Sequence, residues 1–159
     1  MLFAGLRRRF NDARTLALLC KGAEREARAA GQTEPGAEHF LLAALELPDG
    51  SARRAFERLG VAPAQVRAAI ERQYAQALGD AVGIEPATPL SGAGAGVYRA
   101  AASGQEIVQA LARRSDGDAG LRGADVLRAI AAMRHGVAAR SLRALDLDEP
   151  AICGAVAAV

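Results

Sequence analysis

The sequence predicts an all-α fold of eight helices, arranged as two pseudo-symmetric four-helix repeats. Three observations carry this. Hydrophobic residues make up 51% of the chain while aromatics are only 4%, so that much of the apolar content is alanine. Alanine is the best helix former, whereas strands favour β-branched and aromatic residues. Apolar residues recur at steps of three and four between glycine and proline stops. A stretch beginning at Gly36 also returns at Gly123 in the same order and apolar phase.

Asn11 or Asp12 is placed to cap a first helix, in which Leu16, Leu19, Ala23, Ala27 and Ala30 share a face before Gly31 ends it. A second helix runs from about Ala37 to Leu47, buries Phe40, Leu41, Ala44 and Leu45, and closes at Pro48-Asp49-Gly50. Ser51 caps a third, with Ala52, Ala55, Phe56 and Leu59 inward and Gly60 as its stop. A fourth opens at Ala62-Pro63, because the missing N–H of proline costs nothing in a first turn. Val66, Ala69, Ile70 and Tyr74 lie on its inner face. Gly79 to Ala87, rich in glycine and proline, reads as a linker.

Thr88-Pro89 forms an N-cap followed by a first-turn proline, and "SGAGAG" (Ser91 to Gly96) delays a fifth helix. That helix continues through Val97, Tyr98, Ala101, Ile107, Val108 and Leu111, and "RRSDGDAG" (Arg113 to Gly120) is a loop. The last three helices come from the repeat. Gly123-Ala124-Asp125-Val126-Leu127 echoes Gly36-Ala37-Glu38-His39-Phe40 at a spacing of 87. After one deletion, Gly136 to Leu145 echoes Gly50 to Leu59, and Ile152 and Val156 fall where Val66 and Ile70 fall. The expected organisation is one domain over 1–159, with repeat one at about 10–78, a linker at about 79–87 and repeat two at about 88–158. Each repeat is too small to bury a sufficient core without its twin.

Lys and Arg number 20 against 18 Asp and Glu, a net charge of +2. That balance argues against nucleic acid as the main partner. Arg7-Arg8-Arg9 is a short basic run of the kind that usually forms a solvated end. Cys20 and Cys153 lack a paired spacing and suit thiols packed in helices. No secretory leader pattern and no apolar run near the ~20 residues of a membrane span is present, so the expectation is a cytoplasmic protein with no membrane partner.

Few residues here suit chemistry. Glu38 and His39 stand together in "GAEHFLLAAL" (Gly36 to Leu45), but the only other histidine, His135, is 96 positions away. A zinc site generally needs three or more protein ligands, so no metal is expected. No serine has a Gly-x-Ser-x-Gly context, and no acid–base pair, nucleophile or metal cluster emerges; the chain is expected not to be an enzyme and to hold no cofactor. Glu38 in a first helical turn is already favoured by the helix dipole without any ligand.

The residues "AGQTEPGAEHFLLAAL" and "GSARRAFERLGV" are similar to the Leu-Gly-His…Gly-Thr-Glu-His-Leu-Leu-Leu and Gly-x-Ala-Ala-x-x-Leu-x-x-Leu-Gly-Val patterns of one family. With the duplication, the chain resembles the Clp amino-terminal repeat domain, especially of the ClpC kind, over roughly residues 10 to 158. No Gly-x-x-x-x-Gly-Lys-Ser/Thr loop is present to bind ATP, so the chain is either a stand-alone domain, which is the expectation taken, or a fragment excised from a longer protein. The resemblance implies a recognition module whose partners are a Clp-type unfoldase, adaptor proteins or substrates, with phosphoarginine or cyclic peptides as small ligands. It also implies that the motif acids, Glu38 and Asp125, face a guanidinium, since a carboxylate accepts two parallel N–H bonds from one. Amides at the helix starts would then serve a phosphate.

The chain departs from the family pattern at Ala37 and Ala124, where threonine is usual, at Val126 in place of histidine, and at Ala87, where an aromatic often precedes Thr-Pro. Phe3 and Phe10 offer a substitute apolar surface. The candidate ligand-contact residues are thus Glu38, Asp125, His39, Phe10 and Thr88. Two alternatives remain open: a small helical nucleic-acid-binding or regulatory protein using Arg7-Arg8-Arg9 and Arg53-Arg54, and a degenerate paralogue acting as a scaffold.

Overall fold

The computed structural model describes residues 2–80, 100–114 and 120–159. Among them are eight helices and no strand: α1 (Leu2–Ala29), α2 (Ala37–Leu45), α3 (Ser51–Arg58), α4 (Pro63–Asp80), α5 (Ala102–Ala112), α6 (Gly123–Ala131), α7 (Val137–Ala144) and α8 (Glu149–Ala157). The fold is all-α, as the alanine-rich periodicity predicts.

Helices α2 and α6 pack against each other at the centre, and the remaining helices are arranged about them in matched pairs. Helix α3 packs on α6 as α7 packs on α2; α4 packs on α7 as α8 packs on α3; α4 meets α2 as α8 meets α6. Each relation is the other with the repeats exchanged, so the seam between repeats is the core itself. Phe40, Leu41, Phe56 and Val66 from the first repeat and Ile107, Leu127, Ile130 and Ile152 from the second are fully buried in one cluster.

The clearest internal symmetry is in the turns. Helix α3 ends with Gly60 at φ +71°, its amide bonding to Glu57 O and that of Val61 to Phe56 O. Helix α7 ends with Asp146 at φ +57°, its amide bonding to Arg143 O and that of Leu147 to Leu142 O. Both are Schellman stops, with an aspartate tolerating in one the left-handed conformation that glycine adopts in the other. The cap glycines Gly50 and Gly136 and the buried pairs Val66/Ile152 and Ile70/Val156 share the same spacing of 86.

This spacing extends into the motif, which corrects its register. The Gly36 amide donates to His39 Nδ1, and the Arg122 amide donates to Asp125 Oδ2, each a residue at the third helical position reaching back to the N-cap. In cap geometry Asp125 therefore corresponds to His39, and Ala124 to Glu38; no deletion separates the repeats between α2 and α8. Composition alone favours the 87 register because Gly-Ala-acid recurs, but hydrogen-bond geometry decides the position.

Other boundaries also differ. Helix α1 continues through Asn11 and Asp12, since no glycine or proline breaks it nearby. Asp12 Oδ1 instead accepts the Leu121 amide at 2.7 Å. Gly50, not Ser51, is the N-cap of α3, and Asp49 takes the Ser51 amide at 3.4 Å. Helix α2 stops at Leu45, and Gly79 lies within α4 rather than a linker. Helix α5 begins at Ala102, so Ala101 is its N-cap rather than an interior residue; the expected start at Thr88-Pro89 lies outside the described residues.

Candidate functional site

The first turn of α2 is set by three close approaches. Gly22 of α1 would place a Cβ 2.8 Å from Ala43 Cβ, so α1 lies hard against α2. A Cβ on Gly36 would fall 2.6 Å from Glu38 Oε1, so the residue before the helix must be bare for that carboxylate to fold back over it. Gly104 at the start of α5 approaches the Pro35 carbonyl in the same way. Glu38 and His39 are consequently both buried.

His39 Nδ1 accepts the Gly36 amide at 2.9 Å, which leaves that nitrogen without a proton. Burial pushes the imidazole below its ordinary pKa, the charges of Glu38 and Glu26 opposing it. His39 is thus a neutral cap. Its Nδ1 lies 3.6 Å from Glu38 Oε1. Glu38 is engaged by the hydroxyl of Tyr74, from the inner face of α4. Burial, then the bond to Glu38, pushes the Tyr74 hydroxyl well above its usual range, so it stays a donor. Among the described residues Glu38 faces no Arg or Lys ion-pair partner; its immediate neighbours are a phenol and a neutral imidazole.

Asp125 is in a different state. Its Oδ2 accepts the Arg122 amide at 2.8 Å and the guanidinium of Arg114, whose Nη1 also donates to the Gly120 carbonyl at 3.1 Å. Among the described residues the first acid is met by a single neutral donor, the Tyr74 hydroxyl, the second by a cation from its own chain.

The helix-start amides are also spoken for. Ala37 N donates to Ser103 Oγ at 3.1 Å, and Ala124 N to Ser51 Oγ at 2.8 Å. Gly123 N donates to Asp49 Oδ2 at 3.3 Å. Each motif helix is capped from the other repeat, so a phosphate would have to displace an internal oxygen at these amides. Arg53 and Arg54, both exposed, each donate to a backbone carbonyl, of Leu45 and of Asp49.

Phe10 lies on α1 with 69% of its surface exposed, on a helix that packs chiefly against α2. Thr88 lies outside the described residues. The structure thus brings Glu38 and His39 together, pairs Asp125 with Arg114 and leaves Phe10 exposed on α1. Tyr74, Arg114, Ser51 and Ser103 were not named as site residues by the sequence. A tyrosine on an inward helix face needs a partner for its hydroxyl, and Tyr74 is half-buried; that is the one signal that points to it. An open groove of about 340 Å³ is lined by residues of α6, α7, α8 and the turns between them, including Ile130, Met133, Leu142 and Ile152, and by none of the candidate residues. No group of three or more His, Cys, Asp or Glu side chains is placed to hold a metal among the described residues, and no helix there is long and apolar enough to cross a membrane.

Two helical repeats that cap and bury one another's motif helices define a helical-repeat domain. The Clp repeat (R) N-terminal domain family matches residues 14–145, and the chain belongs to that family. Domains of this kind mediate protein interactions in Clp systems rather than catalysis. No curated protein matches the chain.

Proposed function

We propose that the protein recognises segments of partner proteins in a Clp-type system, acting as an adaptor or decoy, and that Glu38 contacts a cationic group of the bound segment. Arginine and phosphoarginine are the side chains whose planar fork suits a carboxylate. One observation supports this most: among the described residues Glu38 is a buried acid met by one neutral donor, the Tyr74 hydroxyl, where a buried acid ordinarily has a cation. The Tyr74 hydroxyl is the group that a ligand guanidinium would replace or share.

The test is titration of an arginine peptide and its phosphorylated form into the wild type and Glu38→Gln, beside a pull-down with a Clp-type unfoldase. Saturable binding that weakens about tenfold or more in Glu38→Gln is expected, the size of a lost charged hydrogen bond. Failure to bind the unfoldase and both peptides would remove the reading.

A further inference from the structure

We infer that Arg114 holds the second repeat shut against guanidinium ligands, so that recognition through a carboxylate runs through the first repeat alone. This rests on the proposal that Glu38 contacts a cationic group, and concerns which repeat has a carboxylate to offer.

Two observations carry it. In cap geometry the residue equivalent to Glu38 is Ala124, which has no acid. The nearest acid, Asp125, already holds a guanidinium. The Arg114 side chain is 14% exposed and that of Asp125 8%, and the same Oδ2 is shared with the Arg122 amide. Arg114 is further fixed by the Gly120 carbonyl. An incoming guanidinium would have to displace a group of its own chemistry that is tethered eleven positions away in the chain. A short tether gives such a competitor an effective concentration of order millimolar, and it pays no cost of association. Among the described residues Glu38 faces no such competitor: the Tyr74 phenol hydroxyl makes one bond and carries no charge.

The experiment titrates N-methylguanidinium and phosphoarginine into the wild type, Arg114→Gln, Asp125→Asn, the Arg114→Gln/Asp125→Asn pair and Glu38→Gln. In the wild type, the carboxyl resonance of isotope-labelled Asp125 stays in place, and Asp125→Asn changes phosphoarginine affinity less than about twofold. Arg114→Gln gains a saturable site for N-methylguanidinium that the double variant lacks. A wild-type Asp125 resonance that moves saturably overturns the inference, as does a folded Arg114→Gln that takes up no probe. The wild-type resonance needs no variant, so a failure of Arg114→Gln to fold does not spoil the test. If Glu38→Gln leaves phosphoarginine binding intact while Arg114→Gln gains its site, the role of Glu38 falls and that of Arg114 stands.

Discussion

The Ser51 hydroxyl accepts the Ala124 amide across the seam at 2.8 Å, while Ser103 on the other side accepts the Ala37 amide at 3.1 Å. Each repeat thereby finishes the motif helix of its twin. Ser51 is fully buried, so its removal strands a buried N–H as well as deleting a cap. Ser51→Ala should cost about 1–3 kcal/mol in urea denaturation. Loss of cooperativity, with the repeats melting separately, would show instead that the seam is not the core.

Two glycines inside helices should answer alanine substitution with opposite signs. Gly123 would place its Cβ 2.9 Å from the Ala44 carbonyl, where α6 crosses the first repeat, and backbone cannot yield cheaply. Gly123→Ala should destabilise by about 1–3 kcal/mol as an overpacked contact. Gly79, in α4, has nothing within 4 Å of the same position. Gly79→Ala should stabilise by up to about 1 kcal/mol, the helix-propensity difference. Thermal melts of both variants check the pair.

How much of this was legible in the sequence follows from the range of each interaction. The end of α3 and the start of α4 were readable because their signals are local: Gly60 and Pro63 act within a turn of where they stand. The family was readable from the first repeat for the same reason. The start of α1 was not, because Asp12 is as good a cap as an interior residue until one knows that its oxygen goes to Leu121, 109 positions away. The pairing of Glu38 with Asp125 rested on matching letters, whereas cap hydrogen bonds match His39 with Asp125. Tyr74 could be placed on the inner face of α4 but not opposite Glu38. Arg114, assigned to a loop, gave no sign of Asp125, since nothing in spacing shows where a long flexible side chain folds back.

The paired Schellman stops make a second comparison. Asp146 holds φ +57°, a conformation that favours glycine, whereas Gly60 holds φ +71° in the equivalent turn. Asp146→Gly should be neutral to stabilising and Gly60→Ala destabilising, each by about 1 kcal/mol, the left-handed penalty of a side chain. If Gly60→Ala were silent in chemical denaturation, the turn geometry of α3 would be wrong.

The network around Glu38 also sets the pH dependence of stability. His39 is held below its ordinary pKa of 6.5, so the unfolded chain binds the proton more readily than the folded one. Its contribution is complete above pH 6.5 and is lost as pH falls below it. The Glu26 carboxylate is held low by its hydrogen bond to Arg67, at 2.8 Å, so its contribution is lost only at more acid pH, below 4.5. Tyr74 acts in the opposite direction. Its hydroxyl is held above the ordinary 10.0, so the unfolded chain releases the proton first and stability falls as pH rises past that value. Urea midpoints measured from acid to alkaline pH should therefore rise through the histidine range, level off, and fall beyond the tyrosine range. His39→Gln keeps an oxygen to accept the Gly36 amide but does not titrate, and should flatten the rise near neutrality while leaving the alkaline fall. Tyr74→Phe should do the reverse, at a cost of about 1–3 kcal/mol at neutral pH for leaving Glu38 without its donor. A wild-type midpoint that drops between pH 6 and 8 would mean that His39 is charged in the folded state, and would remove both the neutral cap and the cation-free setting of Glu38.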